Sequence, residues 1–122
     1  MGQIKKDIVV LGSNNKGKKL RALFDTGATR NYINENFIET NGTIYDIGIN
    51  EYHKKCDVIF VDGTERQGQI IKLELLNIEG FQIKKPKFCL FNMTSCDVII
   101  GAKLMQQLKI VLNPSIKKIS FG

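Results

Sequence analysis

Leu20-Arg21-Ala22-Leu23-Phe24-Asp25-Thr26-Gly27-Ala28-Thr29 is the stretch on which the reading of this chain turns. Successive side chains of a strand point to opposite faces, so Leu20, Ala22 and Phe24 share one side and Arg21, Leu23 and Asp25 the other. Asp25 therefore ends an apolar strand on the face opposite Phe24, where the chain must turn. A carboxylate lifted on such a turn, with Thr26 and Gly27 behind it, can activate water. Peptide hydrolysis by carboxylates alone uses an acid and a base together, however. Asp-Thr-Gly occurs once in 122 residues, so one chain supplies half of such a site.

Upstream, Ile4 to Leu11 reads as a strand, Gly12 to Gly17 as a turn, and Lys19 to Phe24 as its hairpin partner. Gly12-x-x-x-x-Gly17-Lys18 nearly matches a phosphate-binding loop, but Lys19 replaces the magnesium-binding Ser or Thr. The residues after Lys19 are strand-like and do not form the helix whose N-terminus would hold phosphates. The hairpin turn is the better reading.

Downstream, Asn31 to Ile33 predicts a short strand, and Asn34 a cap for one helical turn through Glu35 to Glu39, stopped at Asn41-Gly42. A polar stretch runs to Lys55. Asp57 to Val61 and Gly68 to Leu76 then frame Asp62-Gly63-Thr64-Glu65-Arg66 as a hairpin. Phe81 to Ile83, Lys87 to Phe91 and Val98 to Ile100 read as further strands. Lys103 to Leu108 reads as a short helix, and Ile110 to Leu112 with Lys118 to Phe121 as a closing hairpin around Asn113-Pro114-Ser115. Many short strands with one or two short helices make an all-β chain, and the length suits one domain, residues 1–122.

The net charge of +6 raises a nucleic-acid reading. Its distribution argues against one, because lysine pairs recur at Lys5-Lys6, Lys18-Lys19, Lys54-Lys55, Lys84-Lys85 and Lys117-Lys118, mostly at strand ends. A solvated surface is the expectation rather than a nucleic-acid partner, with weak attraction to RNA or acidic partners left open. Cys56, Cys89 and Cys96 make an odd count with no closely spaced pair, which reads as reduced thiols in a cytosol-like compartment. His53 is the only histidine; with the three cysteines it could complete a four-ligand zinc set, but at a spacing unlike common zinc sites. No metal and no cofactor are expected. No apolar run is long enough to span a bilayer, and Met1 to Lys6 lacks a signal-peptide core, so the expected location is cytoplasmic, possible release from a larger polyprotein included.

Asp25-Thr26-Gly27-Ala28, followed far downstream by Asp97-Val98-Ile99-Ile100-Gly101 with Leu104 and Leu108 behind it, resembles the aspartic proteases. Pepsin-like members carry two such motifs on one longer chain, so the resemblance is to retropepsins, the retroviral and retrotransposon type, which close the site by homodimerisation. It covers roughly Lys19 to Phe121. It implies a closed β-barrel acid protease fold with a flap hairpin, and an aspartic endopeptidase acting on an extended polypeptide held by strand addition. Asp25 would be the catalytic residue. Thr26 would reach across the dimer, and Gly27 and Ala28 would leave room for the peptide. Val61, Asp62, Gly63 and Thr64 would form the flap over substrate, and Ile99, Ile100 and Gly101 the structural motif below. Two facing carboxylates would share one proton, one acting as base and one as acid. Retroviral members commonly follow the first motif with an acidic residue and the distal Gly with an Arg; here these are Thr29 and Ala102. Losing both avoids an orphan buried charge and points to retrotransposon-like or cellular kin. Arg30 is bulkier and more charged than the family pattern. The alternative is a binding or dimerisation module of the same fold with weak or no hydrolysis.

Overall fold

The computed structural model describes residues 3–59, 63–113 and 118–121. Strands β1 (Gln3–Leu11) and β2 (Gly17–Asp25) pair antiparallel without a register break, from Gln3 opposite Asp25 to Leu11 opposite Gly17. The Gly12 amide donates to the Lys16 carbonyl, and the Lys16 amide to Oδ1 of Asn14, which closes the turn. The near-match to a phosphate loop is thus a hairpin turn, and a strand comes after it.

The remaining strands are β3 (Tyr32–Ile33), β4 (Asn50–Ile59), β5 (Glu65–Lys72), β6 (Leu75–Ile78), β7 (Phe81–Lys84), β8 (Lys87–Leu90), β9 (Val98–Ile100), β10 (Ile110–Asn113) and β11 (Lys118–Phe121). One α-helix, α1 (Ala102–Gln107), stands among the described residues. Nine strands join in the order β4-β5-β8-β3-β9-β2-β1-β6-β7, and β10 pairs with β11 apart from them. The large sheet curls into a half-barrel.

Alternation along β1 and β2 places Ile4, Ile8, Val10, Leu20, Ala22 and Phe24 inside this curl. Leu76 and Ile78 from β6, Ile33 from β3, Val98 and Ile100 from β9 and Leu104 from α1 meet them in one core. Each such large apolar side chain contributes about 1.5–3 kcal/mol by leaving water. A smaller cluster of Cys56, Val58 and Cys89, with Tyr32, Ile70 and Phe91 against it, occupies the β4-β5-β8 end.

Several expectations change. Glu35 to Glu39 is not a helical turn. The amides of Ile38 and Glu39 donate to Oδ1 of Asp97, at 2.8 and 3.0 Å, so they are engaged by a distant carboxylate instead of a local helix. The Asn34 side chain does not cap; it donates to the carbonyls of Met93 and Cys96, at 2.8 and 3.1 Å. The only helical turn between β3 and β4 is a 3-10 turn at Ile44–Asp46, closed when Oδ2 of Asp46 accepts from the Thr43 amide. The polar stretch before Lys55 is the first half of β4, starting at Asn50. Glu65 and Arg66 belong to β5 rather than to the hairpin tip, because Glu65 is paired with Ile59. The run from Gly68 to Leu76 is two strands. At Leu73 and Glu74 the backbone changes partners, their amides donating to the carbonyls of Pro86 and Leu11, so the chain passes from β8 to β1. Pro114 and Ser115 of the last predicted turn lie outside the described residues.

The cysteines are not three reduced thiols. Cys56 of β4 and Cys89 of β8 form a disulfide across 33 residues of sequence. The sulfurs meet over β5 at Gly68, where a Cβ would lie 2.7 Å from Sγ of Cys89 and 3.2 Å from Sγ of Cys56. A side chain there would occupy the place of the bridge. The same bond removes two of the four ligands that a zinc site would have needed. Cys96 is free and buried. Burial pushes its thiol above the ordinary cysteine range, so it is held as the neutral thiol rather than a nucleophilic thiolate.

Candidate active site

Strands β2 and β9 run parallel, with Ala22 beside Val98, Leu23 beside Ile99 and Phe24 beside Ile100. Both motifs therefore end at the same level. On its other side β9 pairs antiparallel with β3, Tyr32 to Ile99 and Ile33 to Val98. The chain between β2 and β3 must cross the end of β9, and Gly101 lies beneath that crossing. A Cβ on Gly101 would strike the carbonyl oxygen of Arg30 and sit 2.8 Å from that of Ala28. The crossing is also bonded in place. The Ala102 amide donates to the Ala28 carbonyl at 2.6 Å, and the Gly101 amide to Oδ1 of Asn31 at 3.0 Å.

Within the loop, the Ala28 amide donates to the Asp25 carbonyl at 3.1 Å. Oδ1 of Asp25 accepts from the Gly27 amide at 2.8 Å, and Oδ2 from Nε2 of Gln3 at 3.3 Å. The Asp25 side chain is thereby oriented while the residue stays half-buried, with Thr26 and Gly27 exposed beside it. Ile100 and Gly101 are buried, and Ile99 is half-buried. Asp25, Thr26, Gly27 and Ala28 thus form one small loop, resting on Gly101 and Ala102. The hairpin of β4 and β5 stands elsewhere on the sheet. Gly63, near its tip, has φ +86°, a left-handed conformation that favours glycine, and with Thr64 it is exposed. Val61 and Asp62 lie outside the described residues.

Gln3, Asn31, Asn34 and Asp97 are contributors that the sequence reading missed or placed otherwise. Asn31 stands where a strand was expected to begin, and its value comes from Gly101, 70 residues away. Asp97 is fully buried, and three donors satisfy it: the amides of Ile38 and Glu39 and, at 2.9 Å, Oγ1 of Thr40. The Asp97 carbonyl accepts from the Asn34 amide at 2.8 Å. This network fixes the segment leaving β3 against the entry to β9, at the end of that strand opposite to Gly101.

Residues 12–107, more than three quarters of the chain, match the family model described as "gag-polyprotein putative aspartyl protease". The chain belongs to this family. Among solved structures it is similar to the retroviral protease-like domain of Ddi1 from Leishmania major, at 12% identity and TM-score 0.54, covering 99% of this chain and 89% of that one. It is likewise similar to the protein Lpg0085 of unknown function from Legionella pneumophila, at 14% identity and TM-score 0.55, covering 92% and 91%. A comparison with curated proteins gives no match. At such identities the likeness is one of fold: the chain has the retropepsin-like fold. No helix among its described residues is long and apolar enough to cross a membrane.

Two clefts open on the surface of this family member. One, of about 770 Å³, lies between β5 and the segment Leu90 to Asn92; the other, of about 650 Å³, begins at Thr29, Arg30 and Asn31. Neither is walled by Asp25, which is half-buried. The volume of a cleft is therefore a poor guide to the chemistry here, and the oriented carboxylate is the better one.

Gly101 carries a direct expectation. Gly101→Ala should displace the Asp25 loop, because the obstructing atoms are the backbone carbonyls of Arg30 and Ala28, which cannot rotate aside. A loss of about 2–3 kcal/mol in folding free energy is expected, the usual cost of overpacking, read as a lower urea midpoint. An unchanged midpoint would mean that the loop does not rest on Gly101.

Proposed function

We propose that this chain is an aspartic endopeptidase that acts as a homodimer, residues 1–122 forming one protease domain that contributes half of the site. The observation that carries the proposal is the Asp25 carboxylate, oriented by the Gly27 amide and left half-exposed on a loop held by Gly101 and Ala102. One copy offers a base without its acid. Two copies meeting at this loop would bring two Asp25 carboxylates together, and like charges so close hold one proton between them. The ionised carboxylate takes a proton from water as its oxygen bonds to the scissile carbonyl carbon, and the protonated one donates to the carbonyl oxygen. One carboxyl then gives its proton to the amide nitrogen of the resulting diol while the other carboxylate takes a proton from a diol hydroxyl, so the carbon–nitrogen bond breaks and the pair again shares one proton. Thr26 is exposed beside Asp25, and in the proposed dimer its hydroxyl would reach across to the opposite subunit. The β4-β5 hairpin is proposed as the flap, with Val61, Asp62, Gly63 and Thr64 over an extended polypeptide that adds as a strand.

A second reading has one observation in its favour. Nε2 of Gln3 rests on Oδ2 of Asp25, so in a non-catalytic dimerisation module this carboxylate would serve as a structural acceptor.

The two readings separate in a dilution series with a mixed peptide library, cut sites being read by mass spectrometry. For a shared site, specific activity should fall on dilution through the dimer dissociation range. The rate should also be bell-shaped in pH, since the most acidic solutions leave no base and the most alkaline no acid. Full specific activity from a sedimenting monomer would rule out the shared site, and absence of any cleavage would favour the module.

A further inference from the structure

The lysine pairs of this chain do not all disperse over its surface. The cleft of about 650 Å³ that begins at Thr29 to Asn31 is walled by Arg30, Lys54, Lys84, Lys85, Lys87 and Lys103, and by no acidic side chain among the described residues. These residues come from the active loop, from β4, from the β7-β8 connection and from the first turn of α1, so only the fold collects them. Lys85 is paired with Glu74, whose carboxyl that hydrogen bond holds below the usual carboxylate range. Arg30, Lys54, Lys84 and Lys103 make no ion pair among the described residues. Ile70, Ile83 and Leu104 give the cleft an apolar component.

We infer that this cleft binds an acidic segment of a polypeptide, on the substrate flank that lies beyond the reacting residues. Several uncompensated cations on low-dielectric walls concentrate anions, and carboxylates on a peptide answer both the charge and the apolar wall. The cleft volume falls in the range of ligand sites. Its position selects the occupant. Thr29 and Arg30 directly follow Ala28, so a strand lying across the active loop continues toward the cleft with residues several places from the scissile bond. A nucleic acid would offer phosphates to the same cations, but single strands gain much of their affinity from stacking on exposed rings. Phe88, the aromatic residue of this wall among the described residues, is 1% exposed and offers no such face.

The inference deepens the endopeptidase reading and rests on it for the placement of the peptide, so its test is one of binding. The probe is a fluorescein-labelled peptide with three glutamates on each side of Ala-Leu-Phe-Ala, titrated by anisotropy into Asp25→Asn protein, which cannot consume it. Lys84 and Lys103 are exposed and outside the catalytic loop. Binding should weaken about tenfold in Lys84→Glu/Lys103→Glu, consistent with modest contributions from two exposed charges. Lys84→Arg/Lys103→Arg should retain it, and salt should weaken it. Equal binding by the charge-reversed protein, or by the same peptide with serine for glutamate, would overturn the inference. So would a uridine decanucleotide that displaces the peptide at lower concentration and shows the same dependence on Lys84 and Lys103, since the partner would then be a nucleic acid. With active protein, binding of the acidic peptide without cleavage would instead leave the cleft assigned and the endopeptidase reading refuted.

Discussion

Asp25→Asn should lower peptide hydrolysis by about 10⁴-fold or more while the chain folds as before. Acid and base catalysis by a positioned group each contribute about 10²–10⁴-fold, and in a two-fold site this one substitution removes both. Folding should be spared because the amide oxygen of Asn can still accept from the Gly27 amide, as Oδ1 of Asp25 does at 2.8 Å. The new NH₂ would meet Nε2 of Gln3, but the Gln3 amide can turn and present its oxygen. A half-exposed position with its hydrogen bonds kept should move stability by no more than about 0.5 kcal/mol. The measurements are initial rates on a peptide found in the library experiment and a urea titration of both proteins. Retained cleavage would place catalysis elsewhere, and a collapsed midpoint would make Asp25 a structural residue.

The parts of this molecule that were legible in the sequence are those whose signals are local. Leu20, Ala22 and Phe24 alternate because β2 has one face in the core, and all three are fully buried. Val98 to Ile100 reads as a strand because β9 lies between two neighbours, and Gly101 ends it as expected. The helix expected over Lys103 to Leu108 is found at Ala102–Gln107. The first half of β4 escaped notice for a physical reason. It lies on a strand with a single neighbour, and a register irregularity falls between Glu51 and Lys55, so no clean alternation marks it.

What was not legible depends on partners far along the chain. Asn34 followed by Glu35 and Phe37 has the composition of a helix start, and nothing nearby contradicts it. Asp97 decides otherwise, from 59 residues away at Ile38. The Cys56–Cys89 bridge needs β4 and β8 brought to either side of Gly68, a consequence of sheet order that spacing does not encode. The basic cleft is of the same kind, since evenly scattered lysine pairs become a cluster only when the β7-β8 connection meets α1 and the active loop. In the candidate site itself, Asp25, Thr26, Gly27 and Ala28 announced themselves, whereas Asn31 and Gln3 did not.

Asp97→Ala should be the most destabilising of the substitutions considered, at about 3–5 kcal/mol. The carboxylate is fully buried and accepts three hydrogen bonds, from the amides of Ile38 and Glu39 and the hydroxyl of Thr40. Alanine leaves these donors without their acceptor. An unsatisfied buried donor costs about 1–3 kcal/mol, and water entering the vacated space would recover only part of the sum. Asp97→Asn is the informative control. Its amide oxygen can keep the two backbone donors, and the Thr40 hydroxyl can rotate to accept from the new NH₂, so about 1–2 kcal/mol should be lost with the charge. Urea midpoints at constant slope give both values. The order alanine well below asparagine, asparagine below wild type, is the expected result. If alanine lies within about 1 kcal/mol of wild type, well under the cost expected for several orphaned donors, then the loop from Ile38 to Thr40 folds without Asp97. The entry to β9 would then be held by the hydrogen bonds of Asn34 to Met93, Cys96 and the Asp97 carbonyl.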